Sequence, residues 1–273
     1  MASFDFVDAA AKSYEFVWRE RSYLSRVAVP VLFVKFACVL MIFVSGLQDQ
    51  HLLGGLIAMP GYIVEAIFMI GVIRYVLYRE SIFVWGRTIP APDSDQKPLL
   101  HYGPASRGQC LQAGFAMYLL IKIIQLAMAG ALLDMTQGID PTTQPPPPQP
   151  HVGHALFFLS LMWLSVWTFR LLWLYVPVAM GYPFTKFLKK VQGFNISLSM
   201  LATWFICYMP LIILIAGVIN IANLIIPNPG SAQILAHSFI EVIGDFLWTL
   251  VPMIAMTYGI VEVLSKKPEE PKK

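Results

Sequence analysis

The stretch that decides the fold is LSRVAVPVLFVKFACVLMIFVSG (residues 24–46), followed by the polar turn QDQH (48–51) and by LLGGLIAMPGYIVEAIFMIGVIRYVLY (52–78). A helix of about 20 mainly apolar residues crosses a bilayer, and each of the two apolar stretches exceeds that length. A turn of four polar residues leaves no room for a soluble domain between them. The three pieces together predict a helical hairpin that crosses a membrane twice.

The rest of the chain repeats this pattern. It is 57% hydrophobic and 13% charged, whereas soluble domains carry about 25% charged residues. The predicted spans are residues 24–46, 52–78, 111–133, 155–180, 196–221 and 237–264. The expected fold is therefore all-α, a polytopic transmembrane bundle of six helices that contacts the lipid bilayer.

Residues 1–23 differ from these spans and predict an amphipathic helix, because apolar and charged side chains recur at helical spacing. The apolar set is Phe4, Val7, Ala11, Tyr14 and Trp18, and the charged set is Asp5, Asp8, Lys12, Glu15 and Arg19. Such a helix suits the membrane interface, and packing on the protein's own cytoplasmic loops is the alternative. The domain division is 1–23, 24–264 and a disordered charged tail over 265–273, with an extended loop around Pro145–Pro148.

Basic residues are distributed asymmetrically between the connections. Sixteen of the 19 Lys and Arg residues lie outside the span interiors, in the N-terminal segment, the second and fourth connections and the tail. The first, third and fifth connections have none. Because basic loops stay in the cytoplasm, both termini are predicted to be cytoplasmic. Size, compact loops and proline usage favour a bacterial inner membrane.

Six ionisable residues fall well inside the predicted spans. They are Lys35, Glu65, Lys122, Arg170, Glu241 and Asp245. A charge that faces lipid at mid-helix costs about 2.5–3.5 kcal/mol on insertion scales. We therefore expect these side chains to face each other, a cavity or another subunit.

Lys35 and Glu65 form the best-defined pair among them. They lie 14 residues before and 16 residues after Asp49, so a hairpin centred there brings them to the same depth within about 3 Å. A buried ion pair follows, serving either as a lock on helix register or as part of a functional site. Gln125 shares a helix face with Lys122, and Arg170 is expected to extend toward the cytoplasmic side.

The sixth span carries a polar stripe, His237, Glu241 and Asp245, at spacing i, i+4 and i+8. Histidine and carboxylates are metal ligands and proton relays, but the favoured interpretation is contact with polar partners in the bundle. We predict no metal and no cofactor. Haem, P-loop, H-E-x-x-H and G-x-S-x-G patterns are absent. No basic patch supports nucleic-acid binding, and no catalytic residue is predicted.

One local resemblance concerns the segment Val176–Gly181 followed by Phe187–Asn195. It resembles a layout of uncharacterised bacterial six-helix inner-membrane proteins, in which a short basic cytoplasmic helix ending in Gly-x-Asn leads into the next span. The resemblance covers about a twelfth of the chain. It implies a membrane fold and no activity.

Two functions agree with these features. The first is a non-enzymatic scaffold, accessory subunit or assembly factor that has protein partners in a membrane complex. The second is a proton- or ion-coupled secondary transporter or channel that uses the charges inside the spans. A charge-swapped Lys35/Glu65 double variant is expected to rescue a purely structural pair.

Overall fold

A computed structural model describes residues 4–47, 50–84, 87–89, 106–137, 152–226 and 230–265. Its helices are α1 (Phe6–Arg19), α2 (Arg21–Val44), α3 (His51–Tyr78), α4 (Arg107–Gln137), α5 (Val152–Thr168), α6 (Tyr175–Ala179), α7 (Phe184–Lys190), α8 (Phe194–Ile225) and α9 (Ser231–Ser265). Six helical segments among the described residues are long and apolar enough to cross a membrane, namely α2, α3, α4, the α5–α6 segment, α8 and α9. The predicted all-α, multi-pass membrane fold is therefore confirmed. The loop at Pro145–Pro148 and residues 266–273 of the tail lie outside the described residues.

Helix α1 exists, and only part of the predicted apolar set lies on its packing face, where the Tyr14 hydroxyl donates to the Cys207 carbonyl. The Asp5 carboxylate caps its start by accepting hydrogen bonds from two backbone N–H groups, at 2.9 and 3.1 Å. Small side chains on a third face, including Ala10 and Ser13, are buried against α8 and α9, whereas Val7 and Trp18 are exposed. Small residues let helices approach closely, so α1 docks on two long helices of the bundle rather than on loops.

The fourth predicted span, 155–180, is not one continuous helix. After α5, residues Phe169–Trp173 form a 3-10 segment, and α6 begins at Tyr175. Pro177 explains the break, because its ring clashes with the carbonyl four residues earlier and it has no N–H to donate. That carbonyl belongs to Trp173, so the change of helix type occurs where an α-helix would lose a backbone hydrogen bond.

The second connection contains a hairpin of two short strands, β1 (Ile82–Val84) and β2 (Arg87–Ile89), paired antiparallel. This hairpin is a local departure from the all-helical expectation. Ile82 is buried against α3, where a Cβ on Gly71 would lie 2.8 Å from its side chain. The Ile82 N–H also donates to the Tyr23 hydroxyl at 3.0 Å. The start of the second connection is therefore part of the packed structure.

One end of the bundle, which we call the basic end, joins α1 and the start of α2 to the ends of α3, α6 and α9. There Arg74 makes a two-point ion pair with Glu80, at 2.8 and 2.6 Å, and Arg107 reaches the same carboxylate at 3.0 Å. Arg79 pairs with Glu20 at 3.1 Å. Ordered ion pairs thus fix the helix ends on the side where the sequence concentrates its basic residues.

Candidate functional site

Four helices bring four charged side chains together in the middle of the bundle. They are Lys35 on α2, Glu65 on α3, Lys122 on α4 and Asp245 on α9, each 14 or 15 residues from the first residue of its helix. We call this set the charge network. Gly61 allows α3 to approach α2 closely, since a Cβ there would lie 3.3 Å from Cγ of Lys35. The site therefore lies about 20 Å along each of these helices from the first residue of the helix.

Lys35 is the centre of the charge network. Its Nζ donates to Oε2 of Glu65 at 2.8 Å and also to Oδ2 of Asp245. The lysine side chain is buried, whereas 44% of the Asp245 side chain remains exposed. A buried ammonium needs charged partners to offset its desolvation, and the two carboxylates provide them. The sequence thus predicted one partner of Lys35, Glu65, but not the other, Asp245.

Glu65 is enclosed on all sides. Its side chain is 0% exposed, and its Oε1 accepts a hydrogen bond from the Tyr118 hydroxyl at 2.7 Å. Lys122 lies 3.7 Å from the same oxygen, and its ammonium is 5.7 Å from the centre of the Tyr118 ring. Two lysines and two carboxylates give the charge network a formal charge of zero. Loss of one charge therefore leaves an uncompensated one in the interior.

Two cavities flank the charge network and share Asp245 and Trp248. The Lys35 cavity, about 320 Å³, extends along α2, α3 and α9 as far as Ile42 and Glu241. The Lys122 cavity, about 350 Å³, lies between α4, the α5–α6 segment, α8 and α9. Asp245 borders both spaces, and its side chain is the most exposed of the four in the network.

The other predicted site residues have separate positions. Gln125 lines the Lys122 cavity, and Glu241 lines the Lys35 cavity one turn from Asp245. His237 contacts Asn223 at 2.9 Å instead of continuing the stripe into the charge network. Arg170 extends toward the basic end, but it is buried and donates to the Val191 carbonyl at 2.5 Å.

An aromatic wall around the Lys122 cavity was not predicted. Its rings contact one another in the order Tyr118, Tyr175, Trp173, Phe169, Trp204, Tyr208 and Trp248, with centroid separations of 4.6–6.2 Å. All seven line that cavity. The sequence signals were the i, i+4 spacings of Phe169 with Trp173 and of Trp204 with Tyr208, which are equally typical of ordinary helix packing.

Among the described residues, no group of three His, Cys, Asp or Glu side chains is placed to hold a metal ion. The histidine of the polar stripe and its two carboxylates therefore do not converge on one point. Comparison with protein-family models, curated protein sequences and solved structures finds no match.

Proposed function

We propose that this multi-pass membrane protein is a secondary carrier in which a proton or small cation exchanges at Asp245 and is coupled to movement of a solute. The observation that carries the proposal is the position of Asp245 between the Lys35 cavity and the Lys122 cavity, with 44% of its side chain exposed. Ionisable residues that face cavities inside a membrane bundle are typical of ion pathways and proton relays.

The charge network supports coupling because its members compete for the same partners. Lys35 is shared between Glu65 and Asp245, and Glu65 is shared between Lys35 and Lys122. If a proton or cation neutralises Asp245, Lys35 loses one of its two carboxylates, and the balance of charge shifts toward Glu65. A ligand can shift a conformational equilibrium only through such differential interactions. The network thus provides a physical link between ion occupancy and the packing of four helices.

A second candidate, the scaffold or accessory subunit, is favoured by the complete enclosure of Glu65. Under that proposal the charge network serves only to fix helix register, as buried ion pairs do in other proteins. It predicts that substitutions in the network change stability alone. Under either proposal we infer that the basic end faces the cytoplasm, because Lys and Arg concentrate there; size, compact loops and proline usage support a bacterial inner membrane.

The test uses purified protein in liposomes that contain a pH-sensitive dye, with a potassium diffusion potential as the driving force and a small organic solute (a carboxylate, an amine or a neutral aromatic compound) added outside, because a coupled carrier moves its ion together with a solute. A second set of vesicles measures uptake of radioactive sodium. We expect uptake of protons or sodium above protein-free vesicles, and its loss in Asp245→Asn and Glu65→Gln. The matched control is Glu15→Gln, because the Glu15 side chain on α1 is 71% exposed and lines neither cavity.

Two outcomes would contradict the carrier. One is the absence of uptake by the native protein. The other is unchanged uptake in network variants that are inserted and folded, as judged by their thermal unfolding. The second outcome would support the scaffold.

A further inference from the structure

A further cavity, which we call the Arg107 cavity, lies between α3, β1 and α4 at the basic end. Its volume is about 260 Å³, and it shares no lining residue with the Lys35 cavity or the Lys122 cavity. Two of its lining side chains, Ile67 and Phe83, remain 36% and 47% exposed, so it opens on the outer surface of the bundle. Because Ile67 belongs to the spanning segment Leu53–Tyr78, that opening faces acyl chains rather than water.

The lining of the Arg107 cavity changes from charged to apolar along its length. The lining residues run from Arg74 to Ile67 on α3 and from Arg107 to Phe115 on α4, which corresponds to about 10–12 Å along each helix. The charged residues lie at the basic end, and the side chains deeper in the spans are apolar apart from Gln112. One leaflet contributes about 15 Å, half of the hydrocarbon core. The apolar part therefore has the depth of the acyl region of one leaflet.

The charged end of the cavity carries two arginines and one carboxylate, and its formal charge is therefore positive. All three nitrogens of the Arg74 guanidinium are used, on Glu80 and on the Ala179 carbonyl. Arg107 contacts Glu80 through Nε at 3.0 Å and the Ser81 carbonyl through Nη2 at 3.2 Å, whereas its Nη1 donates to no described residue. The Arg107 side chain is also 51% exposed. Since a guanidinium presents several donors in one plane that match a phosphate, Arg107 can bind an additional anion.

We propose that the Arg107 cavity binds an anionic phospholipid, with one acyl chain in its apolar part and a phosphate oxygen that accepts from Nη1 of Arg107. A neutral apolar ligand would leave that donor unused, and a small soluble anion would leave the apolar part unfilled. Basic pockets between membrane helices are a known type of site for anionic headgroups. Binding requires neither ion uptake nor a protein partner, so the site is independent of the proposed function.

Native mass spectrometry of the full-length protein in a nonionic detergent measures the binding of two phospholipids that have the same acyl chains. Phosphatidylglycerol carries a net negative charge, and phosphatidylcholine carries none. We expect phosphatidylglycerol to bind about fivefold more tightly, which is the effect of one arginine near an anionic lipid. Arg107→Gln should abolish this preference, and Arg107→Lys, which keeps the charge, should retain most of it. Arg26→Gln is the matched control, because Arg26 is exposed on α2 and does not line the cavity.

A second variant tests whether the acyl chain occupies the cavity. Gln112 is exposed and lines the cavity, so Gln112→Trp adds bulk there without replacing a buried side chain. We expect it to weaken the binding of both phospholipids on the order of tenfold, because the chain loses apolar contact. Ala113→Trp is its matched control, because Ala113 is the next exposed residue of α4 and lies outside the lining. This pair keeps the proposal testable if Arg107→Gln does not fold.

Equal binding of phosphatidylglycerol and phosphatidylcholine to the native protein would overturn the proposal. An equal loss of preference in Arg107→Gln and Arg26→Gln would also overturn it, because the charge would then act without this cavity. Equal weakening by Gln112→Trp and Ala113→Trp would show that the lipids bind elsewhere. Displacement of phosphatidylglycerol by inorganic phosphate would show that Arg107 binds a soluble anion instead of a lipid.

Discussion

A double-variant cycle on Glu65 and Lys122 tests the electrostatics of the charge network. Glu65→Gln keeps an oxygen that accepts from Tyr118, but it removes the negative charge that Lys35 and Lys122 share. Removing one partner of a buried ion pair costs about 3–5 kcal/mol. Lys35 retains Asp245 as a partner, so we expect the lower limit, about 3 kcal/mol. Lys122→Met alone leaves Glu65 with two of its three partners, and we expect a loss of about 1 kcal/mol.

The coupling between the two positions is the decisive quantity. Two unit charges 4 Å apart interact by about 4 kcal/mol at an effective dielectric constant of 20, and the Lys122–Glu65 distance is 3.7 Å with 18% of the lysine side chain exposed. Discounting for that exposure leaves about 1–2 kcal/mol of coupling. The double variant restores a neutral network of Lys35 and Asp245, so it should be more stable than the sum of the single losses predicts by that amount.

Thermal unfolding followed with a thiol-reactive dye measures these differences, because Cys38, Cys110 and Cys207 are all buried in the folded protein. Glu15→Gln serves as the exposed control and should change stability by less than about 1 kcal/mol. Additive losses, with no coupling between Glu65 and Lys122, would refute the shared-charge interpretation.

Two further predictions concern the basic end and α1. Arg74→Met should cost about 3 kcal/mol in thermal unfolding, because it removes the donor to the Ala179 carbonyl and the two hydrogen bonds to the Glu80 carboxylate. The exposed Arg26→Met should cost less than about 1 kcal/mol, and equal losses would contradict the assignment. Tyr14→Phe removes a 2.6 Å hydrogen bond to the Cys207 carbonyl and should cost about 1 kcal/mol at neutral pH. Burial raises the pKa of Tyr14 from 10.0 to about 12, so its stabilisation is complete below pH 10 and is lost as the pH rises toward 12. The native protein should therefore lose more stability than Tyr14→Phe over that range, and parallel pH profiles would refute the docking of α1.

The length of the hydrophobic stretches and the placement of charges along the chain were enough to predict most of the fold. Both are properties of position along the chain, so six spanning segments followed from them, as did the equal depth of Lys35 and Glu65. The face of α1 that packs on the bundle could not be predicted from these two properties. Ala10 and Ser13 contribute little to an apolar pattern, but their small size allows close helix contact. The presence of Pro177 in the sequence does not by itself indicate that a 3-10 segment precedes it.

The candidate site depended on which helices are neighbours, and helical periodicity does not contain that information. Asp245 lies 210 residues from Lys35, and nothing in the spacing of either indicates their contact. This third partner corrects one sequence-based expectation. Exchanging Lys35 and Glu65 would place a glutamate beside Asp245 and a lysine beside Lys122, so the swapped pair should not rescue stability even if the network is purely structural.

The most direct test of a bundle with an ion-accessible interior is the reactivity of single cysteines toward a membrane-impermeant thiol reagent. In a protein whose three native cysteines are replaced by alanine, Gln125→Cys and Glu241→Cys each place a thiol in one of the cavities. Leu214→Cys is the control on an exposed apolar surface of α8 that we expect to face lipid. We predict that both cavity positions react on the order of tenfold faster than position 214, since only a thiolate in contact with water reacts. Equal, slow reaction at all three positions would show that the charge network is sealed from water and would contradict a carrier.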